Sequence, residues 1–206
     1  MLESWTRSAD EPRSSHKRIE FHRLAVRRRA GTTQLGEALD ITIRAAQLED
    51  ASAMGTVWWR AAMLGYEGIF PPEAPPMPPP EEVAQEWRRA ILSLRAGGIV
   101  LVGCLWDPDR TIVGTVAAVP DPDESSRGHL RALYVDPGHW GRGVGRALHD
   151  AALGHFQQCG FRTAILWVLE GNVRARTMYE RWGWRPGPIR PTDYPGINEI
   201  CYLIYL

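Results

Sequence analysis

His139-Trp140-Gly141-Arg142-Gly143-Val144-Gly145-Arg146-Ala147-Leu148 decides how this chain is read. Leu130 to Val135, just before it, is an apolar strand, and the turn residues Asp136-Pro137-Gly138 end that strand. After it, Val144, Leu148, Ala151, Ala152 and Phe156 recur at helical spacing. A helix is therefore expected from about Gly143 to Gln158, with Gly160 just past its end. The alternate glycines Gly141, Gly143 and Gly145 remove side chains that would keep a ligand off the backbone. The first amides of a helix have no internal partners, and with the helix dipole they form an anion site. Arg142 and Arg146 add charge-assisted donors, so a pyrophosphate is the natural guest. A P-loop would need Lys followed by Ser or Thr where Arg146-Ala147 stand. A dinucleotide loop would need Gly or Ala at Arg146 or Leu148, depending on register.

Working outward, Ile41-Thr42-Ile43-Arg44 alternates as a half-buried strand. Asp50 is positioned to cap a helix through about Leu64, whose apolar face is Met54, Val57, Trp58, Ala61 and Ala62. The proline tract from Pro71 to Pro80 lacks amide donors and predicts an extended loop. Glu81 and Glu82 open a second helix, to about Arg95. Ile99 to Trp106, Thr111 to Val119 and Leu130 to Val135 are strands, as are Thr163 to Val168 and Ile200 to Leu206. Asn172 to Trp182 is a helix, and a further short strand is expected near Arg185. Hairpin-linked strands followed by strand-helix-strand units predict an α+β fold, a mixed sheet with helices on both faces.

The 206 residues predict one domain, residues 41–206, preceded by an Arg-rich extension, residues 1–40. That extension reads as disordered or loosely docked, with a basic nucleic-acid arm as the alternative. Its acids Asp10, Glu11 and Glu20 dilute the charge, and the whole chain balances 24 basic against 24 acidic residues, so neither nucleic acid nor a membrane is expected as a partner. Cys104, Cys159 and Cys201 are scattered, which fits neither a disulfide framework nor a metal site. Cys104 and Cys201 are expected to be buried, in a cytoplasmic protein. No stretch approaches the length of a membrane span, and the N-terminus has no apolar signal-peptide core.

Asn172, Ala175, Tyr179, Gly183 and Trp184 fit a second spaced pattern: Asn, two residues, Ala, three residues, Tyr, three residues, Gly, aromatic. Ala175 and Tyr179 are four apart on one helix face, with Met178 and Trp182 beside them. Together with Leu133-Tyr134-Val135-Asp136-Pro137 and the glycines Gly143 and Gly145, this resembles the GNAT superfamily, the GCN5-related N-acetyltransferases. Trp140 stands where that family's first signature carries Gln or Arg.

The resemblance implies a mixed, mostly antiparallel sheet and an acetyl-CoA-dependent N-acetyltransferase without a metal. The reaction would be direct attack of a primary amine on the thioester. By residue, it implies that Leu133, Tyr134 and Val135 bind the pantetheine arm through their backbone. The Val135 amide would stabilise the oxyanion. Gly141, Arg142, Gly143, Val144, Gly145 and Arg146 would hold the pyrophosphate. Asn172 would contact the cofactor arm or fix the helix start, and Ala175 would let the arm approach. Tyr179 would protonate the departing thiolate. His129 stands where many relatives carry a Glu, so it is a candidate base, with a non-catalytic histidine as the alternative and His139 behind it. Trp58, Trp59, Tyr66 and Glu67 are candidates for the acceptor wall, against core packing and a solvated carboxylate. Asp193, Tyr194 and Glu199 come after them. The acceptor expected is a small-molecule amine. The alternatives are a protein or peptide amine, or a non-catalytic acyl-CoA sensor. Relatives of this kind are often homodimers.

Overall fold

The computed structural model describes residues 40–206. The Arg-rich extension expected over residues 1–40 lies outside them except for Asp40. Seven strands form one sheet in the order β1-β2-β3-β4-β5-β7-β6. They are β1 (Ile41–Ala45), β2 (Ile99–Leu105), β3 (Ile112–Pro120), β4 (Arg127–Val135), β5 (Thr163–Leu169), β6 (Arg185–Pro191) and β7 (Asn198–Tyr205). The helices are α1 (Ala51–Gly65), α2 (Pro80–Leu92), α3 (Val144–Gln158) and α4 (Val173–Arg181). Every strand pair is antiparallel except β4 with β5. The fold is the expected mixed, mostly antiparallel sheet.

Period-two alternation sends β2 side chains to two separate cores. Ile99 and Leu101 meet Val144, Leu148, Ala152 and Phe156 of α3. Val100, Val102 and Cys104 meet Met54 and Trp58 of α1 and Val83 and Trp87 of α2. A strand buried on both faces reads as an unbroken apolar run, which is why β2 has no polar residue. Gly128 lets the α3 core close onto β4, since a Cβ there would lie 2.6 Å from the Phe156 ring.

Two local expectations are corrected. Asp50 does not cap α1 with its side chain. Instead it takes a two-pronged ion pair from Arg44 (2.6 and 2.8 Å) and a bond from the Gln47 amide. The second helix ends at Leu92, short of Arg95, with Ser93 as its C-cap. β6 is fully exposed and lies at the sheet edge, where Pro186 and Pro188 deny donors to any further strand. Cys104 and Cys201 are buried and Cys159 is exposed.

β4 is interrupted and then released. A bulge lies where Ala117 faces Ala132 but Ala118 faces Leu130, with Arg131 as its extra residue. On its other edge β4 pairs with β5 only from Arg127 to His129. Beyond that the two strands part, and α3 and α4 flank the gap.

Candidate active site

A cleft of about 1600 Å³ opens where β4 and β5 separate. Its walls come from β4, β5, the loop before α3, α4, the end of α1, the proline tract, α2 and the β6–β7 turn. The released β4 edge is chemically active backbone. The Asp136 amide donates to Val113 O at 2.9 Å, which fixes the antiparallel alternation. Val135 and Leu133 then face Gly114 and Val116 at positions that do not bond across to β3. Their amides and carbonyls point outward, toward the gap left by β5. The Val135 carbonyl takes the Trp140 indole N–H at 2.7 Å. Trp140 thus braces the strand end, and the Arg174 guanidinium stacks on its ring at 3.7 Å from the centroid. That is the structural use of the residue that departs from the signature.

The glycine loop has the open backbone its sequence predicts. Gly141 and Gly143 have φ of 74° and 86°, the left-handed region, and nothing lies within 4 Å of where a Cβ would sit. Gly143 is the N-cap of α3 and has no side chain to accept from the first amides. Intrahelical bonding begins with the Ala147 amide on Gly143 O, so the amides of Val144, Gly145 and Arg146 stay open. These groups suit an anion such as a diphosphate. Gly141, Gly143, Gly145 and Arg146 line the cleft. Arg142 is exposed outside the lining, and the Val144 side chain is core, so Val144 offers only its amide.

On α4, the Asn172 carbonyl oxygen accepts from the Ala175 amide at 3.0 Å and caps the helix. Ala175 and Tyr179 both line the cleft. Tyr179 is buried among Trp182, Trp184 and Tyr202, at ring distances of 6.0, 6.0 and 6.5 Å. Burial, and secondarily the nearby Tyr134, push its phenol well above the ordinary value, so it keeps its proton. His129 also lines the cleft. Burial, then the positive field of Arg131, lowers it to about 4, so its imidazole is neutral near pH 7.

Trp58, Tyr66 and Tyr134 come together beside the cleft. Tyr66 and Tyr134 share a hydroxyl–hydroxyl bond of 3.2 Å, and Trp58 meets Tyr134 edge-on at 6.0 Å. Trp59 packs against the α1–α2 core and Glu67 is exposed, and neither lines the cleft. The structure adds Phe70, Trp167, Arg190, Glu82 and Glu86, which the sequence did not single out for the site. Phe70 touches Tyr194 edge-to-face at 5.9 Å, joining the α1–α2 loop to the β6–β7 turn. Arg190 stacks on Trp167 at 3.8 Å and pairs with Glu199 at 2.6 Å. Glu82 and Glu86 face the cleft from α2. No local sequence pattern announces these residues, because the segments that meet are far apart in the chain. His139, Asp193, Tyr194 and Glu199 do line the cleft. Among the described residues no His, Cys, Asp and Glu group is placed to hold a metal, and no helix is long and apolar enough to cross a membrane.

A sequence profile described as "Acetyltransferase (GNAT) family" matches residues 59–184. The chain belongs to the GNAT family of acetyltransferases, which use acetyl-CoA. Curated relatives include the mycothiol acetyltransferases of Geodermatophilus obscurus and Propionibacterium freudenreichii. The first is 40% identical over 82 residues, 38% of this chain and 27% of that protein. The second is 36% identical over 104 residues, 50% and 30% of the two chains. The matched stretch is thus less than a third of either relative's length. Among solved structures, an acetyltransferase of Thermus thermophilus superposes with TM-score 0.62 at 21% identity, covering 82% of this chain and 99% of its own. The PaiA N-acetyltransferase of Thermoplasma acidophilum, solved with coenzyme A, gives 0.60 at 18% identity, covering 79% and 97%. At such identities the superpositions show the fold.

Proposed function

We propose that this chain transfers the acetyl group of acetyl-CoA to a primary amine on a small molecule. The observation that carries the small-molecule acceptor is the Phe70–Tyr194 contact, extended by Tyr66 against Phe70 at 6.1 Å. This aromatic chain crosses from the α1–α2 loop to the β6–β7 turn. A polypeptide needs a continuous groove, and the crossing interrupts one. The relatives named for mycothiol agree in class.

Each residue then has a task. The outward amides of Leu133 and Val135 align the donor's pantetheine arm as an added strand would. The Val135 amide stabilises the negative charge growing on the thioester oxygen. The open amides of Val144, Gly145 and Arg146 hold the diphosphate. Tyr179 gives its proton to the leaving sulfur. The amine must arrive deprotonated. The guanidinium groups of Arg131 and Arg190, which depress His129, also lower the pKa of an ammonium bound beside them. His129, lowered to about 4, is too weak a base to strip an ammonium directly or through water, so the amine enters from its neutral fraction and the proton it sheds after attack passes to solvent.

Calorimetry of acetyl-CoA on the intact protein and on Gly145→Glu tests the donor site, and CoA release across an amine panel tests the acceptor. Saturable binding that the substitution abolishes, followed by CoA release with a small amine, is expected. Folded protein that binds no acetyl-CoA overturns the proposal. Binding without CoA release for any amine favours a sensor. Better turnover of peptide N-termini than of small amines overturns the acceptor class. Opening the crossing with Phe70→Ala and Tyr194→Ala is expected to raise peptide turnover relative to the intact chain.

A further inference from the structure

Behind the glycine loop runs a chain of polar contacts that the acetyl-transfer chemistry does not itself require. The Trp184 indole N–H donates to His149 Nε2 at 2.9 Å. An indole nitrogen is only a donor, so His149 Nε2 holds a lone pair and the ring proton sits on Nδ1. That Nδ1 lies 3.1 Å from Asp150 Oδ1 and donates to it. The same carboxylate oxygen takes Arg146 Nε at 2.8 Å. Trp182 packs beside this chain, 4.7 Å from the His149 ring and 5.6 Å from the Arg146 guanidinium carbon. His149 is fully buried.

The order of these bonds matters. Asp150 engages Arg146 through Nε, and Arg146 lines the cleft. A guanidinium carries two further nitrogens that can donate to a phosphate. An arginine whose rotamer is fixed in advance loses less freedom when it binds. Asp150 is fixed by the buried imidazole, which is fixed in turn by an indole at the end of the second motif.

We propose that His149 is a positioning residue for the acyl donor, holding Arg146 toward the diphosphate through Asp150 in a tautomer imposed by Trp184. It rests on the glycine loop being the diphosphate site. Protonation of His149 would set two N–H groups against each other at Trp184 and draw Asp150 away from Arg146. Among the described residues, the charges acting on this imidazole are Asp150 and Arg146 of its own helix. The elements packed against it bring the indoles of Trp182 and Trp184 with the Tyr179 phenol beside both, none charged near neutrality. Burial lowers its pKa, so the neutral form prevails at pH 7.

Three substitutions separate the links. His149→Gln can keep the acceptor toward Trp184 but not the donor toward Asp150. His149→Asn can keep the donor toward Asp150. His149→Phe keeps only the volume. The readout is calorimetric Kd for acetyl-CoA beside the KM for S-acetylpantetheine, which lacks the diphosphate. Gln and Phe are expected to weaken acetyl-CoA roughly fivefold to tenfold, about 1 to 1.4 kcal/mol, with S-acetylpantetheine unmoved. Asn recovers most of the loss. As pH falls below the ordinary histidine range the intact protein loses acetyl-CoA affinity that the Phe variant, with nothing to titrate, does not lose in addition. Equal losses for both donors, or unchanged acetyl-CoA affinity in Gln and Phe, overturn the proposal. If the intact protein binds S-acetylpantetheine and acetyl-CoA equally, the diphosphate site itself is wrong.

Discussion

Replacing Tyr179 with Phe removes one oxygen from a buried ring and should separate chemistry from folding. The ring contacts with Trp182, Trp184 and Tyr202 at 6.0 to 6.5 Å do not involve that oxygen. Stability should therefore change by less than about 1 kcal/mol, at the small end of what single substitutions do. In the proposed reaction the phenol is the proton source for the leaving thiolate, and burial keeps it protonated. A positioned acid is worth about 10²- to 10⁴-fold in rate. A loss of about 300-fold in kcat, near 3.4 kcal/mol of barrier, is expected with the Kd for acetyl-CoA unchanged. Stopped assays of CoA release with the best amine would measure it. Thioesters with more acidic thiols should lose less, because their leaving groups need the proton less. A variant that keeps kcat within a factor of three, or that loses equally with every thiol, would refute Tyr179 as the acid.

Acid stability should carry the signature of His129. Its folded value of about 4 lies below the ordinary 6.5, so the unfolded chain binds the extra proton first. Stability attributable to neutral His129 is complete above pH 6.5 and is lost as pH falls toward 4, about 3 kcal/mol in all. Urea titrations of the intact chain and His129→Gln should converge across that window, and parallel curves would show the shift to be absent. Gly128→Ala should destabilise the fold by roughly 2 kcal/mol or more, because the added methyl meets the Phe156 ring at 2.6 Å inside a filled core. A melting temperature unchanged by that methyl would mean that the α3 core yields. Gly141→Ala should cost about 1 kcal/mol through its φ of 74° alone, with no clash to add.

The strand, loop and helix from Leu130 to Gln158 were readable because each obeys a local rule: an apolar run, residues that allow positive φ, then helical spacing. Asn172 was readable for the same reason, since its cap bond to Ala175 is three residues away. β6 was visible only as a short strand near Arg185, because an edge strand exposed on every residue has no apolar alternation to show. Asp50 looked like a cap from its position, but a buried carboxylate takes the strongest donor within reach, and Arg44 arrives from β1. Trp58 and Trp59 differ by one residue, which on a helix is a rotation of about 100°. That rotation is enough to put one beside the cleft and the other away from it. Glu67 lies beyond the end of α1, where helical phase no longer applies. Phe70 and Tyr194, or Arg190 and Trp167, meet only after the sheet has formed.

The short pairing between β4 and β5 has a further consequence. Three residue pairs, from Arg127 with Thr163 to His129 with Ile165, make the seam between strands β1–β4 and strands β5–β7. A donor lying in the gap would continue that seam beyond where the polypeptide stops, bridging the two halves of the sheet. Its binding energy then adds to the cohesion of the protein. At a hundred times its Kd, such a ligand adds about 2.7 kcal/mol to unfolding free energy, a rise of several degrees in melting temperature. Slowed hydrogen exchange would appear first at the Leu133 and Val135 amides, which the fold alone leaves without a strand partner along an unfinished edge.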